Sequence, residues 1–381
     1  MTDLARFGQK FPIHASFGDV LEQMPWDSFR SIWGEPRPLL SGDLQEGGLW
    51  RFARLLAPKS DEELKTMAVR AHQVTRERFG STIQLYAPAY LSNECCNGCS
   101  YCGFRAGSGV ARVTLSDDEF WIQAEALYAR GFRHILVVSG EHRTKVPPER
   151  LAELAGRLKT RFSSVAVEVY PLEEEEYRLL ARSGVDGVTL YQETYQSKEY
   201  AGFHPFGPKR DFQWRLAAME RAGRAGFPRL NLGALLGLCD WRSDALAMVC
   251  HAQFLSQRFW RCVLAVSVPR MVSAVDGIAA PHPVADRDLI QLVMALRLVL
   301  PDSPIVVSTR EPPRLRDVLA RLGATIMSAG SRTTPGGYTS GTVEGKGQFD
   351  VEDLRSPEEV SDSLRRLGLD PVWKDWERSI A

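Results

Sequence analysis

The chain has 381 residues, with 47 basic and 47 acidic side chains, 44% apolar and 25% charged residues, which are ordinary globular proportions. The zero formal charge gives no support to a protein whose main task is gripping nucleic acid, and no apolar run approaches the roughly 18 residues of a membrane helix. The first eighteen residues carry no secretory apolar segment, so the reading is a cytoplasmic protein with neither a nucleic-acid nor a membrane partner.

Residues 1–80 lack clear strands. Trp26, Phe29 and Ile32, then Leu49, Phe52, Leu55 and Leu56, recur at helical spacing. Ser60-Asp61-Glu62-Glu63 reads as a helix start with acids near the positive end of the dipole, and that helix runs to about Arg78. This segment is expected to be a helical extension.

From Thr82 the rhythm changes. Eight short apolar or β-branched runs follow: Ile83–Leu91, His134–Val138, Val165–Val169, Gly187–Tyr191, Leu230–Leu236, Val263–Val268, Ile305–Thr309 and Thr325–Ser328. Amphipathic stretches separate them, at Asp117–Arg130, Pro148–Arg161, Glu173–Arg182, Arg215–Ala225, Ser243–Phe259, Asp286–Leu300 and Arg314–Leu322. Alternation of strand and helix means a parallel sheet with right-handed crossovers. Eight units over about 250 residues match a (β/α)8 TIM-type barrel, α/β in class, better than an open doubly wound sheet. The barrel is placed at residues 81–331. Residues 332–381 begin with the turn-rich Arg332-Thr333-Thr334-Pro335-Gly336-Gly337-Tyr338 and continue to a helix near Pro357–Leu367. They are read as a C-terminal tail packing on the barrel.

The chain has seven cysteines, and Cys95, Cys99 and Cys102 stand within eight residues, directly after the first predicted strand. In a parallel barrel that is the face where active sites form. The spacing C-x3-C-x2-C puts three thiolates on one tight loop. They can hold three irons of a [4Fe–4S] cluster and leave the fourth open to a small molecule, since thiolates suit iron–sulfur clusters. A structural zinc site is the competing reading, and it needs a fourth ligand from Cys96, His142 or elsewhere. Cys96 itself reads as a packing residue, and Glu173–Glu176 as a solvated first helical turn.

The loop Tyr90–Phe104, with aromatics at Tyr101 and Phe104, resembles the signature of the radical S-adenosylmethionine (SAM) enzymes and, within them, the aromatic amino-acid lyases. Gly140–His142, Tyr191–Tyr195, Asp211–Leu216, Leu232–Gly237, Ser267–Arg270, Thr309–Pro312, Pro335–Tyr338 and Pro371–Trp376 are similar to stretches of the 2-iminoacetate synthase (tyrosine lyase) family. That resemblance implies a [4Fe–4S] cluster on Cys95, Cys99 and Cys102, with SAM on its open iron. It implies that Ser139, Gly140 and Glu141 meet the methionine amine, that Glu168 and Glu193 make further SAM contacts, and that Arg215 pairs with the SAM carboxylate. The backbone around Tyr101 and Phe104 would border the adenine. On the substrate side, Arg310 would clamp the carboxylate of L-tyrosine, Ser308 and Ser328 would add donors, and Tyr90 would orient the amine.

The implied reaction cleaves the Cα–Cβ bond of tyrosine to 2-iminoacetate and 4-cresol, with 5′-deoxyadenosine and methionine, for the thiazole of thiamine. Thiazole synthase is the implied partner, and flavodoxin or ferredoxin the electron donor. The alternatives are a lyase acting on tryptophan, a lyase of hydrogenase cofactor maturation, and a non-catalytic zinc-binding barrel. Two departures stand out. The family commonly has Leu-Arg-Pro where this chain has Met271-Val272-Ser273, and the stretch Arg105–Gly109 differs from the usual polar sequence.

Overall fold

The computed structural model describes residues 10–12, 14–44, 48–339 and 347–374. Asp375 and Trp376, the end of the last motif above, lie outside them. The eight expected runs form strands β1 Thr82–Ser92, β2 His134–Ser139, β3 Ser164–Glu168, β4 Gly187–Glu193, β5 Arg229–Ala234, β6 Val263–Ser267, β7 Ile305–Val307 and β8 Ile326–Ser328. Each pairs in parallel with the next, and β1 pairs with both β2 and β8, so the sheet closes into a barrel. Strands buried on both faces need near-continuous apolar runs, which is why they stand out in the sequence.

The helical pattern is held outside this ring by the expected amphipathic stretches, with Ser116 capping Asp117–Ala129 through a reciprocal bond with Glu119. The stretch read as one helix over Arg215–Ala225 differs. Asp211 accepts the Trp214 N–H at 2.8 Å and starts a helix at Phe212, and the path divides into Phe212–Leu216 and Ala218–Arg224. A further short helix, Ser197–Phe203, precedes it.

The N-terminal helices lie on the outside of the barrel. Leu49–Leu56 packs against Trp241–Arg258 and Asp286–Val299, and Asp61–Phe79 lies along Asp286–Val299. Phe29, Phe52, Leu55 and Leu56 are fully or almost fully buried there. The buried Gln291 donates to the carbonyls of Leu55 and Ala57 at 2.7 and 2.8 Å, which satisfies the open C-terminal end of the shorter helix.

The segment after β8 runs the height of the barrel. Residues 347–353 cross its C-terminal rim, the helix Pro357–Arg366 descends its side, and a ninth strand, β9 Asp370–Val372, pairs with the start of β1. Thr82–Gln84 of β1 are thereby covered below the point where β2 begins to pair at Ala87.

Both irregularities within the barrel ladder fall at its C-terminal rim. Register shifts occur in β1 between Tyr90 and Ser92, and in β4 between Tyr191 and Glu193. Such bulges re-aim the side chains beyond them.

Candidate active site

β1 ends in the cysteine loop, and β2 ends in Ser139-Gly140-Glu141 beside it. The two are stitched together by backbone: Gly140 N–H donates to Ser92 O at 2.9 Å and Cys96 N–H to Glu141 O at 3.0 Å. A Cβ on Gly140 would stand 2.3 Å from Glu94 O, so only glycine permits this approach. The return of the loop is pinned by Arg112, which donates to the carbonyls of Asn93 and Phe104 at 2.8 and 2.9 Å and to Ser108 Oγ at 2.9 Å.

Cys95, Cys99 and Cys102 all face one cleft at the C-terminal end of the strands, with about 610 Å³ of empty space up to its mouth. Phe104, Ser139, Gly140, Glu141, Glu168, Glu193 and Arg215 line it as well. Sequence reasoning therefore brought ten of its residues to one place. The three thiols frame this space and, among the described residues, do not gather as ligands of a single ion would. Amide N–H groups approach two of the sulfurs: Asn97 Nδ2 lies 3.7 Å from Cys95 Sγ, and Gln348 Nε2 lies 3.8 Å from Cys102 Sγ. Cys96 departs from the reading as a packing residue. It is exposed, and its thiol donates to Glu141 O at 3.0 Å, away from the other three.

The charges of the cleft are arranged around Glu193. Its backbone has φ of 72°, uncommon for a side chain with a Cβ and costing about 1–3 kcal/mol. Two cations hold it there: Lys209 Nζ at 2.6 Å and Arg215 Nη2 at 3.4 Å, with Arg215 Nε donating to Tyr191 O at 2.7 Å. Burial alone would raise the carboxyl, but Lys209 and then Arg215 bring it below its ordinary value. The buried Arg215 and the half-buried Lys209 face one carboxylate, so this wall is electropositive. On the neighbouring strand β3, Glu168 is pushed up to about 7 by burial, against a lowering pull from Arg310. Glu141 accepts from Asn97 Nδ2 at 2.6 Å.

The remaining expected residues do not line this cleft, though Tyr90 and Arg310 act on Gln348 and Glu168, which do. Tyr90 stands edge-on to Phe104, ring centroids 5.8 Å apart, and its hydroxyl donates to Gln348 Oε1 at 2.8 Å. The Arg310 guanidinium stacks 3.4 Å over the Phe349 ring centroid and, among the described residues, makes no ion pair. Ser308 borders a small neighbouring cavity with Tyr191, Ser267 and Glu311. Ser328 is turned to structure: its Oγ accepts the Thr309 N–H at 3.1 Å, and it bonds the Tyr86 hydroxyl. Tyr101 points away from the cleft, with its hydroxyl 2.8 Å from His204 Nε2 and its ring against Leu235, Leu238 and Met271. The departure at Met271-Val272-Ser273 serves packing there, and Ser273 O accepts the Asp350 N–H at 2.9 Å.

Among the cleft residues that were not foreseen are Lys209, Asn97 and Gln348. Lys209 stands only two residues before the motif at Asp211, in a Gly-Pro-Lys-Arg turn that reads as surface. Asn97 lies inside the cysteine loop itself, where it accepts the Lys209 N–H at 2.8 Å through Oδ1. Gln348 arrives from 246 residues beyond Cys102, with no local signal.

Comparison with known proteins agrees with this geometry. The family model of the radical SAM superfamily matches residues 90–246, and that of the biotin and thiamin synthesis associated domain matches residues 267–370. The 2-iminoacetate synthase of Escherichia coli (strain K12) is 40% identical over 366 residues, which span 95% of this chain and 97% of that protein. A crystal structure of HydG, a maturase of the [FeFe]-hydrogenase, superposes with a TM-score of 0.85 at 31% identity, over 92% of this chain and 80% of that one. The HydG structure from Carboxydothermus hydrogenoformans gives 0.82 at 31% identity, over 98% and 85%. Identity at this level along almost the whole of both chains, joined to three thiols framing one barrel-end cleft, means that the chain belongs to the 2-iminoacetate synthase family of radical SAM enzymes.

Proposed function

We propose that the protein is a carbon–carbon lyase that cleaves the Cα–Cβ bond of L-tyrosine to 2-iminoacetate and 4-cresol, while SAM leaves as 5′-deoxyadenosine and methionine. The observation that carries the reading is the shared cleft: three thiols of one loop and an electropositive wall stand beside an arginine that makes no ion pair with any described carboxylate. The cofactors are a [4Fe–4S] cluster and SAM, and the residues present fit them. Thiolates are the ligands such clusters take, and amide donors to their sulfurs are among the groups that tune them. When bound, the cluster and SAM supply a 5′-deoxyadenosyl radical on one-electron reduction.

The chain's own residues hold and exclude. Cys95, Cys99 and Cys102 are assigned as cluster ligands. Lys209 and Arg215 outnumber Glu193 by one charge, which suits the SAM carboxylate. Glu141, with Ser139 and Gly140, faces the cleft as an acceptor for the methionine amine, and Glu168 and Glu193 make the further SAM contacts. On the other side Arg310 offers a planar fork for the tyrosine carboxylate, its stem fixed by stacking on Phe349. Tyr90 lies between the two halves and orients the amine. Ser308 borders the substrate side. Ser328 acts through Thr309 and Tyr86 by holding β7 and β1 in register. The buried surroundings keep water from a reactive radical.

The product imine hydrolyses readily, so the reading includes a receiving enzyme in the cytoplasm, thiazole synthase, and a flavodoxin or ferredoxin as electron source. Anaerobic reconstituted protein given SAM, a reductant and tyrosine should form 4-cresol and glyoxylate, the hydrolysis product of the imine. Formation of 5′-deoxyadenosine with tryptophan-derived products and no 4-cresol would overturn tyrosine as substrate. A colourless zinc-loaded protein without either product would overturn the lyase reading.

A further inference from the structure

Gln348 meets the cleft from the far end of the chain, and four of its groups are engaged. Its backbone N–H donates to Thr333 O at 2.9 Å, and its backbone carbonyl accepts the Gly103 N–H at 3.0 Å. Its side-chain Oε1 accepts from Tyr90 at 2.8 Å, and Nε2 points to Cys102 Sγ at 3.8 Å. The flanks are fixed too. Thr333 Oγ1 donates to Phe349 O at 3.1 Å, and Asp350 N–H donates to Ser273 O at 2.9 Å. On the receiving side, a Cβ on Gly103 would stand 2.8 Å from Gly347 O and 3.0 Å from Gln348 O, so the cysteine loop admits this segment only because residue 103 has no side chain.

The amide can point only one way. A thiolate sulfur has no proton to give, so it requires the NH2 end, and the tyrosine hydroxyl then meets the carbonyl end. The contrast with Asn97 is informative. Asn97 Nδ2 stands 3.7 Å from Cys95 Sγ but 2.6 Å from Glu141 Oε2, so its donor is chiefly spent on a carboxylate. Among the described residues, no such competitor takes the Gln348 amide.

We propose that Gln348 is a positioning residue that joins the cluster to the substrate side, by donating a hydrogen bond to the Cys102 thiolate and fixing the Tyr90 hydroxyl with the same amide. A donor at sulfur stabilises the more negative, reduced cluster, because hydrogen bonds to the sulfurs are one of the protein's levers on its potential. Tyr90 is held against Phe104 by the other end of that group, so one side chain sets the electron source and the aromatic wall together.

This inference rests on the cluster assignment above, and the experiment separates the two. Wild-type protein is reconstituted anaerobically, iron is counted, and the potential of the cluster is read by electron paramagnetic resonance during redox titration. Failure of wild type to hold a cluster would sink the cluster assignment itself. With the cluster present, Gln348→Leu and Gln348→Glu should both keep the iron and lower the potential. At a fixed applied potential the reduced fraction relative to oxidised should fall about tenfold, which is about 59 mV for one electron. Tyr90→Phe removes only the hydroxyl and should leave the potential near wild type.

A reading on wild type itself does not depend on the variants folding. Protein labelled with 15N in its glutamine side-chain amides should show a weak nitrogen coupling to the reduced cluster in pulsed resonance. An unchanged potential in the iron-loaded variants would overturn the proposal, and so would absence of that coupling.

Discussion

At the C-terminal end of the barrel strands a cleft with about 610 Å³ of empty space up to its mouth is lined by three thiols, three carboxylates and the cations Lys209 and Arg215. At the N-terminal end the space is larger, about 880 Å³ up to its mouth, and is lined by Ile135, Leu136, Val188, Leu230, Ala265, Val306 and Ile326. The second cavity also has polar groups, but they have partners within the cavity wall or just behind it. Gln84 Nε2 stands 2.8 Å from His134 Nδ1, Ser267 donates to Asn231 at 3.0 Å, and Arg229 is paired with Asp186 and Ser164. At the C-terminal end the pairing is left incomplete, with two cations on Glu193 and a carboxyl at Glu168 raised by burial. The strained Glu193 backbone, the close approaches at Gly103 and Gly140, and both bulges lie at that end too. The lesson is that unbalanced charge and unusual backbone mark the reacting end better than volume does.

The largest test of that contrast is at the thiols. Cys95→Ala, Cys99→Ala or Cys102→Ala should each lose the cluster iron and all 5′-deoxyadenosine formation. Cys96→Ala should retain both, because its thiol is turned to Glu141 O. Iron content and deoxyadenosine yield, measured on the four proteins side by side, decide the register. Loss of iron from Cys96→Ala with retention in Cys95→Ala would reverse it.

Next comes the anchor beside the cleft. Arg310→Lys keeps a positive charge and loses the two-point fork and the stacking on Phe349. Removing a charged hydrogen bond inside a closed site should cost about 2–5 kcal/mol of substrate or transition-state binding. The yield of 4-cresol should fall accordingly while SAM affinity stays, so uncoupled 5′-deoxyadenosine rises relative to 4-cresol. An unchanged tyrosine KM and 4-cresol yield would remove Arg310 from the site.

How much of this was legible follows from where the information lies. The strands could be read because each is a local apolar run, and the cysteine loop because its ligands are neighbours in sequence. The strand β9 was missed because Asp370-Pro371-Val372 contains a proline. Proline reads as a breaker, yet it is tolerated on an edge strand, as here beside Ile83. Lys209 looks like a turn lysine until the fold sets it on Glu193, and Gln348 acquires meaning only when the last segment crosses the rim. The Tyr101 side chain shows the opposite: its motif position is clear, but packing on Leu235 and His204 turns it out of the cleft.

A smaller, pH-dependent effect lies behind the Glu193 loop. Asp244 Oδ1 accepts the Tyr195 N–H at 2.8 Å and the Thr194 hydroxyl at 2.9 Å, which fixes the chain just after Glu193. Burial pushes its carboxyl up to about 7, with those two bonds pulling the other way. A raised carboxyl binds its proton more tightly when folded. Its contribution to stability is full below its ordinary value near 4 and is lost as pH rises through about 7. Asp244→Asn should therefore flatten the fall in stability between about pH 4 and pH 7, by an amount on the order of 1–3 kcal/mol. Urea midpoints of both proteins at pH 4.5 and 8 measure it, and equal slopes would show that Asp244 does not titrate in that window.

The smallest effect should come from the N-terminal cavity, and it is the one that could break the comparison. Ala265 on β6 lines that cavity and is 7% exposed. Ala265→Val would place two more methyl groups in empty space. Cavity volume costs about 24 cal/mol per Å³, so filling a few tens of Å³ should stabilise the fold by at most about 1 kcal/mol. Imperfect fit of the β-branched side chain offsets part of that. The melting temperature should rise by no more than about 2 °C, with 4-cresol per deoxyadenosine unchanged. If tyrosine cleavage instead fell about tenfold (~1.4 kcal/mol) at an unchanged melting temperature, the apolar end would be part of the reacting machinery. The division of labour between the two ends would then be wrong.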